Sequence, residues 1–248
     1  SLLGSGRLLQ SGEPRRKGVV RQGTTMIKTF GMLHKRGDIS QEQFHAHWRG
    51  PHADHAVKLV PVMRRYVQNH RAAKTYPGFQ PPSDGCPEVW LDSLESARRL
   101  TTMPEYMTGA FIDEPAFMRV RSDGVLVHEK VMIEGPKLAR DARPLKVLFF
   151  LKRNSRVSRA AFEEFWLGRD APVFSGGKNL QRWVKSPVVG EAYAGTEPLY
   201  DGVEELWWAG SAAQEQDASA PADRTVENFI DRTATRAMFV DENRVVWE

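Results

Sequence analysis

The stretch Ile39-Ser40-Gln41-Glu42-Gln43-Phe44-His45-Ala46-His47-Trp48-Arg49-Gly50-Pro51-His52-Ala53 decides the fold, because the chain contains its pattern twice. Ser40, Phe44, Trp48, Gly50 and Ala53 return as Ser158, Phe162, Trp166, Gly168 and Ala171, each 118 residues on, and Ile39 returns as Val157. A second block, Asp84-Gly85-Cys86-Pro87-Glu88-Val89-Trp90, returns 117 residues on as Asp201-Gly202-Val203-Glu204-Glu205-Leu206-Trp207. Solenoid repeats have periods of roughly 20–50 residues, so a period this long predicts two similar domains of ordinary size.

Outward from those blocks, each copy has the same order of elements. Met26 to Leu33 is an apolar run closed by Lys35-Arg36-Gly37-Asp38, which reads as a strand and a turn. Ser40 then caps a helix, Gln43 closes a capping box on it, and Ile39 staples onto Phe44. The second copy keeps the serine cap and the Val157–Phe162 staple but has Ala161 where the box needs Glu or Gln. A second strand is expected at Arg64 to His70 and at Leu180 to Lys185. A third follows the Asp-Gly turn and ends at Trp90 or at Trp207-Trp208. Helices are expected at Ser93–Leu100 with Pro104–Phe111, and at Val226–Arg236; the closing strands are Val125–Ile133 and Met238–Trp247.

The order β-α-β-β-α-β predicts an α+β fold of two ferredoxin-like repeats, each an antiparallel sheet with helices on one face. The bare faces are most simply covered by each other, sheet pressed against sheet. The expected divisions are an N-terminal arm at 1–25, a first repeat at 26–134, a linker at 135–144 and a second repeat at 145–248.

Composition narrows the function classes. With 41% hydrophobic and 27% charged residues, the 248-residue chain is an ordinary globular one. Its formal charge of +4 resides in the arm, where Arg7, Arg15, Arg16, Lys17 and Arg21 face Glu13 alone. The body is therefore neutral, which argues against nucleic-acid binding. One cysteine, Cys86, excludes an intrachain disulfide and favours the cytoplasm; no apolar run reaches membrane-spanning length, so no membrane partner is expected.

The pattern Ser-x-x-x-Phe-x-x-x-Trp, then His52-Ala53, then Asp84-Gly85-x-x-Glu88-Val89-Trp90 resembles the EthD family of the dimeric α+β barrel superfamily. The resemblance spans about 26–134 and again 145–248, with Asp170 standing in the second copy where the first has His52. It implies a cofactor-free barrel whose members include dehydratase-like, cyclase-like and lyase-like enzymes on aromatic or polyketide compounds, with cofactor-independent monooxygenases and haem-binding proteins among wider relatives.

All seven histidines lie between positions 34 and 128, so the first copy alone is equipped for proton transfer. On a helical wheel Phe44, Trp48, His52 and His55 share a face, His47 borders it, and His45 turns away; Pro51 should break or kink the helix there. His52 is the expected general acid/base, with His47, His34 and Tyr66 as its catalytic assistants. Phe30, Trp48, His55, Trp90, Glu88 and His128 are expected substrate contacts, although Glu88, matched by Glu205, also reads as the partner of a repeated basic or backbone group. His52 and His55 lack a second ligand pair at zinc-like spacing, and neither G-x-G-x-x-G, Walker nor G-x-S-x-G sequences occur, so no metal and no cofactor is expected. The leading expectation is a cofactor-independent lyase or dehydratase acting on a hydrophobic, aromatic or polyketide-like small molecule. Alternatives are a cofactor-independent monooxygenase of a phenol and a non-catalytic aromatic-binding protein. The two copies can close one barrel within the chain or pair between chains as a homodimer.

Overall fold

The computed structural model describes residues 26–59, 62–120, 123–175, 178–209 and 224–247; the expected arm, 1–25, lies outside them. The strands are β1 (Ile27–Gly31), β2 (His34–Lys35), β3 (Met63–Arg71), β4 (Gly85–Leu91), β5 (Met118–Val120) and β6 (Gly124–His128). They continue with β7 (Lys130–Ile133), β8 (Leu145–Leu151), β9 (Arg182–Pro187), β10 (Gly202–Trp208) and β11 (Arg236–Val246). The helices are α1 (Gln41–His47), α2 (Ala53–Val57), α3 (Leu94–Leu100), α4 (Pro104–Met107), α5 (Ala110–Asp113) and α6 (Arg159–Gly168). Where one closing strand is expected from the sequence, β6 and β7 are separated at Glu129. The helix expected at Val226–Arg236 is instead a short 3-10 segment, Arg224–Asn228, followed by turns.

One antiparallel sheet runs β6-β1-β4-β3-β11-β8-β10-β9-β7. Its two ends meet where Val127 bridges Val188 and the Val189 N–H donates to the Leu126 carbonyl, so β6 and β9 close the sheet into a barrel within a single chain. Each half contributes the ferredoxin-like strand order, and the halves join through β3 with β11 and through β6 and β7 with β9.

The repeated residues explain why both halves fold alike. Asp84 accepts from the Lys35 N–H at 3.0 Å, and Asp201 from the Arg153 N–H at 3.0 Å, tying the end of each first strand to the third. Behind them Gly85 and Gly202 lie flat under the rings of Trp48 and Trp166; a Cβ on either would overlap the indole. The Asp-Gly pair is thus a clasp and a seat, and the tryptophan is what sits there.

The barrel interior holds a second repeated device, which the sequence showed only in part. Lys28 pairs with Glu88 and Glu205, and Lys146 with Glu88 at 2.7 Å and Glu205 at 3.3 Å. All four residues are fully buried. Charges taken from water are tolerated only when so paired. Lys28 lies over Trp90 at 4.5 Å and Lys146 over Trp207 at 4.4 Å, so Lys-Glu-Trp is one unit used twice. Glu88, Glu129 and Glu205 bring carboxylate oxygens close enough to hold a metal ion, but Lys28 Nζ is bonded to all three.

Candidate active site

The outer faces of the two half-sheets differ. Over the second half, Phe162 and Trp166 of α6 pack with Val147, Phe149, Trp183, Leu206 and Trp208, and Tyr76 and Phe79 reach across from the β3–β4 loop to join them. Over the first half lies a cavity of about 370 Å³. Its floor is Thr29, Gly31, Tyr66, Pro87 and Val89 of the sheet, one wall is Trp48, His52, Ala56 and Leu59, and the cover comes from α3 to α5 with Tyr106 and Glu114.

The helix that carries the histidines is widened, not broken. Ser40 forms the expected capping box with Gln43. Pro51 cannot donate to the His47 carbonyl, and the chain answers with one π-helical turn, Trp48–His52, before α2 resumes. The turn sets His52 at the cavity wall and leaves the Trp48 carbonyl to accept from Gln68 Nε2 at 2.6 Å.

Two polar devices face the cavity. His52 Nδ1 meets Asp113 Oδ2 at 2.9 Å, while the other Asp113 oxygen meets His47 Nε2 at 2.8 Å. Partial burial works against the Asp113 carboxylate, but the two imidazole bonds outweigh it and hold its pKa below the usual range. An ionised carboxylate only accepts, so His52 carries its proton on Nδ1 and presents Nε2 as a bare lone pair. Burial pushes the His52 pKa down and outweighs the upward pull of Asp113, which keeps the ring neutral near pH 7. The Phe117 ring packs against both imidazoles, 4.8 Å from His52 and 5.1 Å from His47.

The second device is Tyr66. Its hydroxyl oxygen accepts from Trp48 Nε1 at 3.1 Å and from Gln68 Nε2 at 3.3 Å. With both lone pairs used, its own O–H is left to donate into the cavity. Burial pushes its pKa up to about 12, so the proton stays in place. Tyr106 and Glu114, bonded to each other, supply further polar atoms under the cover.

Of the expected site residues, the structure gathers His52, Tyr66 and Trp48 at the cavity and sets His47 behind His52. Phe30, Trp90 and Glu88 face the barrel interior, on the other side of the sheet: Phe30 packs edge-on against Phe150, and Trp90 lies under Lys28. Side chains alternate between the two faces along β1, and the cavity-facing set is Thr29, Gly31 and Leu33. His34 pairs with Val120 in the small β2–β5 sheet, and His128 is at the end of β6 opposite Ile27; neither lines the cavity. His55 packs against Gly109, off the cavity wall, with a buried Nδ1 that has no partner among the described residues. His45, expected to turn away, is edge-on to His70 at 4.7 Å and bonds Gln41.

Sequence reasoning missed Asp113 and Gln68. Asp113 lies 61 residues from His52, and its signal was the tripeptide Phe111-Ile112-Asp113, which returns 118 residues on as Phe229-Ile230-Asp231. Gln68 had one too: it matches Lys185, 117 residues on, whose Nζ donates to the Trp166 carbonyl at 2.6 Å just as Gln68 does to that of Trp48.

Comparison with known proteins agrees with this architecture. Residues 36–120 match the family model described as EthD domain. No curated protein sequence matches the chain. Among solved structures, an anthrone oxidase-like protein aligns over 89% of this chain and 94% of its own, with TM-score 0.56 and 9% identity. A candidate monooxygenase from Lactobacillus acidophilus NCFM aligns over 88% and 94%, with TM-score 0.50 and 8% identity. A mutant chlorite dismutase from Candidatus Nitrospira defluvii aligns over 90% and 92%, with TM-score 0.51 and 9% identity. At such identities the likeness is one of fold. Among the described residues no helix is long and apolar enough to cross a membrane.

Proposed function

From an EthD domain at residues 36–120 of a chain that closes an α+β barrel on itself, we propose an enzyme that moves protons on a hydrophobic, aromatic or polyketide-like small molecule without a cofactor. The observation that carries this reading is the pairing, in one largely apolar cavity, of a bare imidazole nitrogen on His52 with a committed hydroxyl donor on Tyr66.

The chemistry is that of a lyase of the dehydratase type. His52 Nε2 takes the proton from a carbon beside a carbonyl, and the electron pair moves onto the carbonyl oxygen, where the Tyr66 hydroxyl stabilises the enolate. Collapse of the enolate expels a β-hydroxyl, which leaves as water with the proton that His52 returns. Asp113 fixes the His52 tautomer and steadies the imidazolium between the two transfers. His47 shares that carboxylate and acts through it. The first repeat is the working one and the second its scaffold.

The first half-reaction needs no knowledge of the natural substrate. Native protein should catalyse exchange of the α-protons of 1-tetralone, a two-ring ketone, in D2O, and His52→Ala should abolish it; exchange that survives in the variant would remove His52 from the mechanism. The neutral His52 also suits deprotonation of a phenol that itself reduces dioxygen. Oxygen consumption during turnover of a phenolic substrate would favour that monooxygenase reading; conversion of a β-hydroxyketone without oxygen would favour the lyase.

A further inference from the structure

We propose that Gln68 is a positioning residue of this site, one that commits the Tyr66 hydroxyl to point its proton at the bound molecule. This rests on the acid/base reading above and deepens it, because it explains why the cavity offers a donor at one place and an acceptor at another.

The side-chain amide of Gln68 is fully buried, and each of its atoms is assigned by a partner that leaves no choice. The Trp48 carbonyl can only accept, so the atom 2.6 Å from it is the amide nitrogen. That same nitrogen reaches Tyr66 Oη at 3.3 Å. The amide oxygen must then lie on the far side, where Asn243 Nδ2 donates to it at 2.8 Å and His70 Nε2 stands at 3.2 Å. Burial keeps the His70 imidazole neutral, so one tautomer donates Nε2–H to Gln68 and holds it in this orientation. Trp48 Nε1, which can only donate, takes the other lone pair of Tyr66. Residues 66, 68 and 70 alternate onto one face of β3 and form a directed chain, His70 to Gln68 to Tyr66 to the cavity.

A hydroxyl held this way cannot rotate to accept. The site is therefore selective for molecules with a carbonyl or oxyanion oxygen beside Tyr66, and it disfavours a hydroxyl there. The second half shows that the local fold does not require glutamine at this position, since Lys185 satisfies the Trp166 carbonyl in the same way. What glutamine adds is a donor to Tyr66 that carries no charge.

Two variants test the inference. Gln68→Met removes the donor to Tyr66 and the donor to the Trp48 carbonyl together. Gln68→Lys keeps the carbonyl bond, as the second half does, and places a cation beside the phenol oxygen. In protein labelled with ¹³Cζ-tyrosine, with Tyr66 assigned by Tyr66→Phe, the Tyr66 titration should rise in Gln68→Met and fall by about one pH unit or more in Gln68→Lys. Exchange of 1-tetralone α-protons should drop about tenfold in kcat in Gln68→Met, with little change in KM, and recover most of that in Gln68→Lys. A Tyr66 titration identical in all three proteins would overturn the role of Gln68 while leaving the His52 reading intact. Exchange unaffected by His52→Ala would overturn the parent reading while the tyrosine titrations still report on Gln68. Should Gln68→Met fail to fold, Gln68→Lys alone decides, because an unshifted Tyr66 beside a new ammonium group is incompatible with the proposed contact.

Discussion

The two halves of the barrel share a clasp, a seat and a buried ion pair, yet one carries a cavity where the other carries core. Over the first half, Tyr66 and Pro87 sit where the second half has Trp183 and Glu204, each 117 residues on. Trp183 and Glu204 bond each other at 3.0 Å, and Glu204 also accepts from the Val173 N–H, so those polar atoms are spent on one another and on the backbone. Among the described residues Tyr66 has no such partner for its proton. Among the described residues of the second half, a 3-10 segment buries Val226 in the core cluster that Phe174 also joins. Both halves thus keep what holds a half-barrel together, and the cavity is made by residues on the outer face of the first half-sheet.

That comparison can be broken most sharply at the residues that serve the cavity of the first half. His52→Ala should lower α-proton exchange by a factor of roughly 10³ or more, and Tyr66→Phe by about 10², read as kcat by NMR in D2O. Asp113→Asn should cost about tenfold in kcat, because an amide nitrogen turned toward His52 permits the wrong tautomer. Since burial depresses the His52 pKa, the native rate should be flat near neutrality and decline only as pH falls through a value below about 6.5, where the imidazole charges and ceases to be a base.

Residues that both halves share should answer alike. Gly85→Ala and Gly202→Ala each press a methyl group into a tryptophan ring, and each should lower stability by about 1–3 kcal/mol in denaturant titrations. A large effect at one position and none at the other would mean that the halves do not use the motif for the same purpose.

A smaller asymmetry concerns acid. His70 is buried with a pKa lowered to about 2, so it stays neutral in the fold while the unfolded chain takes up a proton below about 6.5. The stability it contributes is complete above that value and is lost as pH falls toward 2, amounting to about 2 kcal/mol by pH 5. A His70→Gln protein should have a correspondingly shallower acid limb in its stability profile.

Much of this was legible in the sequence, for physical reasons that also mark where it stopped. Ser40, Phe44 and Trp48 announce a capped helix with one buried face, and Asp84-Gly85 announces the turn on which that tryptophan rests; such local rules act within a few residues and survive in both copies. The strand order followed from them. What failed was the choice of side: the alternation Lys28, Phe30, Met32 against Thr29, Gly31, Leu33 is visible, but an aromatic residue reads as cavity lining, whereas the barrel interior took these rings as cover for its buried charges. Lys28 and Lys146, 118 residues apart, carried the missing clue, since a repeated lysine facing a repeated glutamate marks an interior ion pair. The Asp113–His52 contact spans 61 residues, and although Phe111-Ile112-Asp113 returns as Phe229-Ile230-Asp231, that repeat does not say which side chain the aspartate meets.

The account stands or falls on the state of one imidazole. In ¹⁵N-histidine-labelled native protein, with His52 identified by its loss in His52→Ala, the ring should be neutral at pH 7 with the proton on Nδ1 and Nε2 bare. A His52 that is protonated on Nε2, or charged at that pH, would contradict the account, for it would leave the cavity without a base.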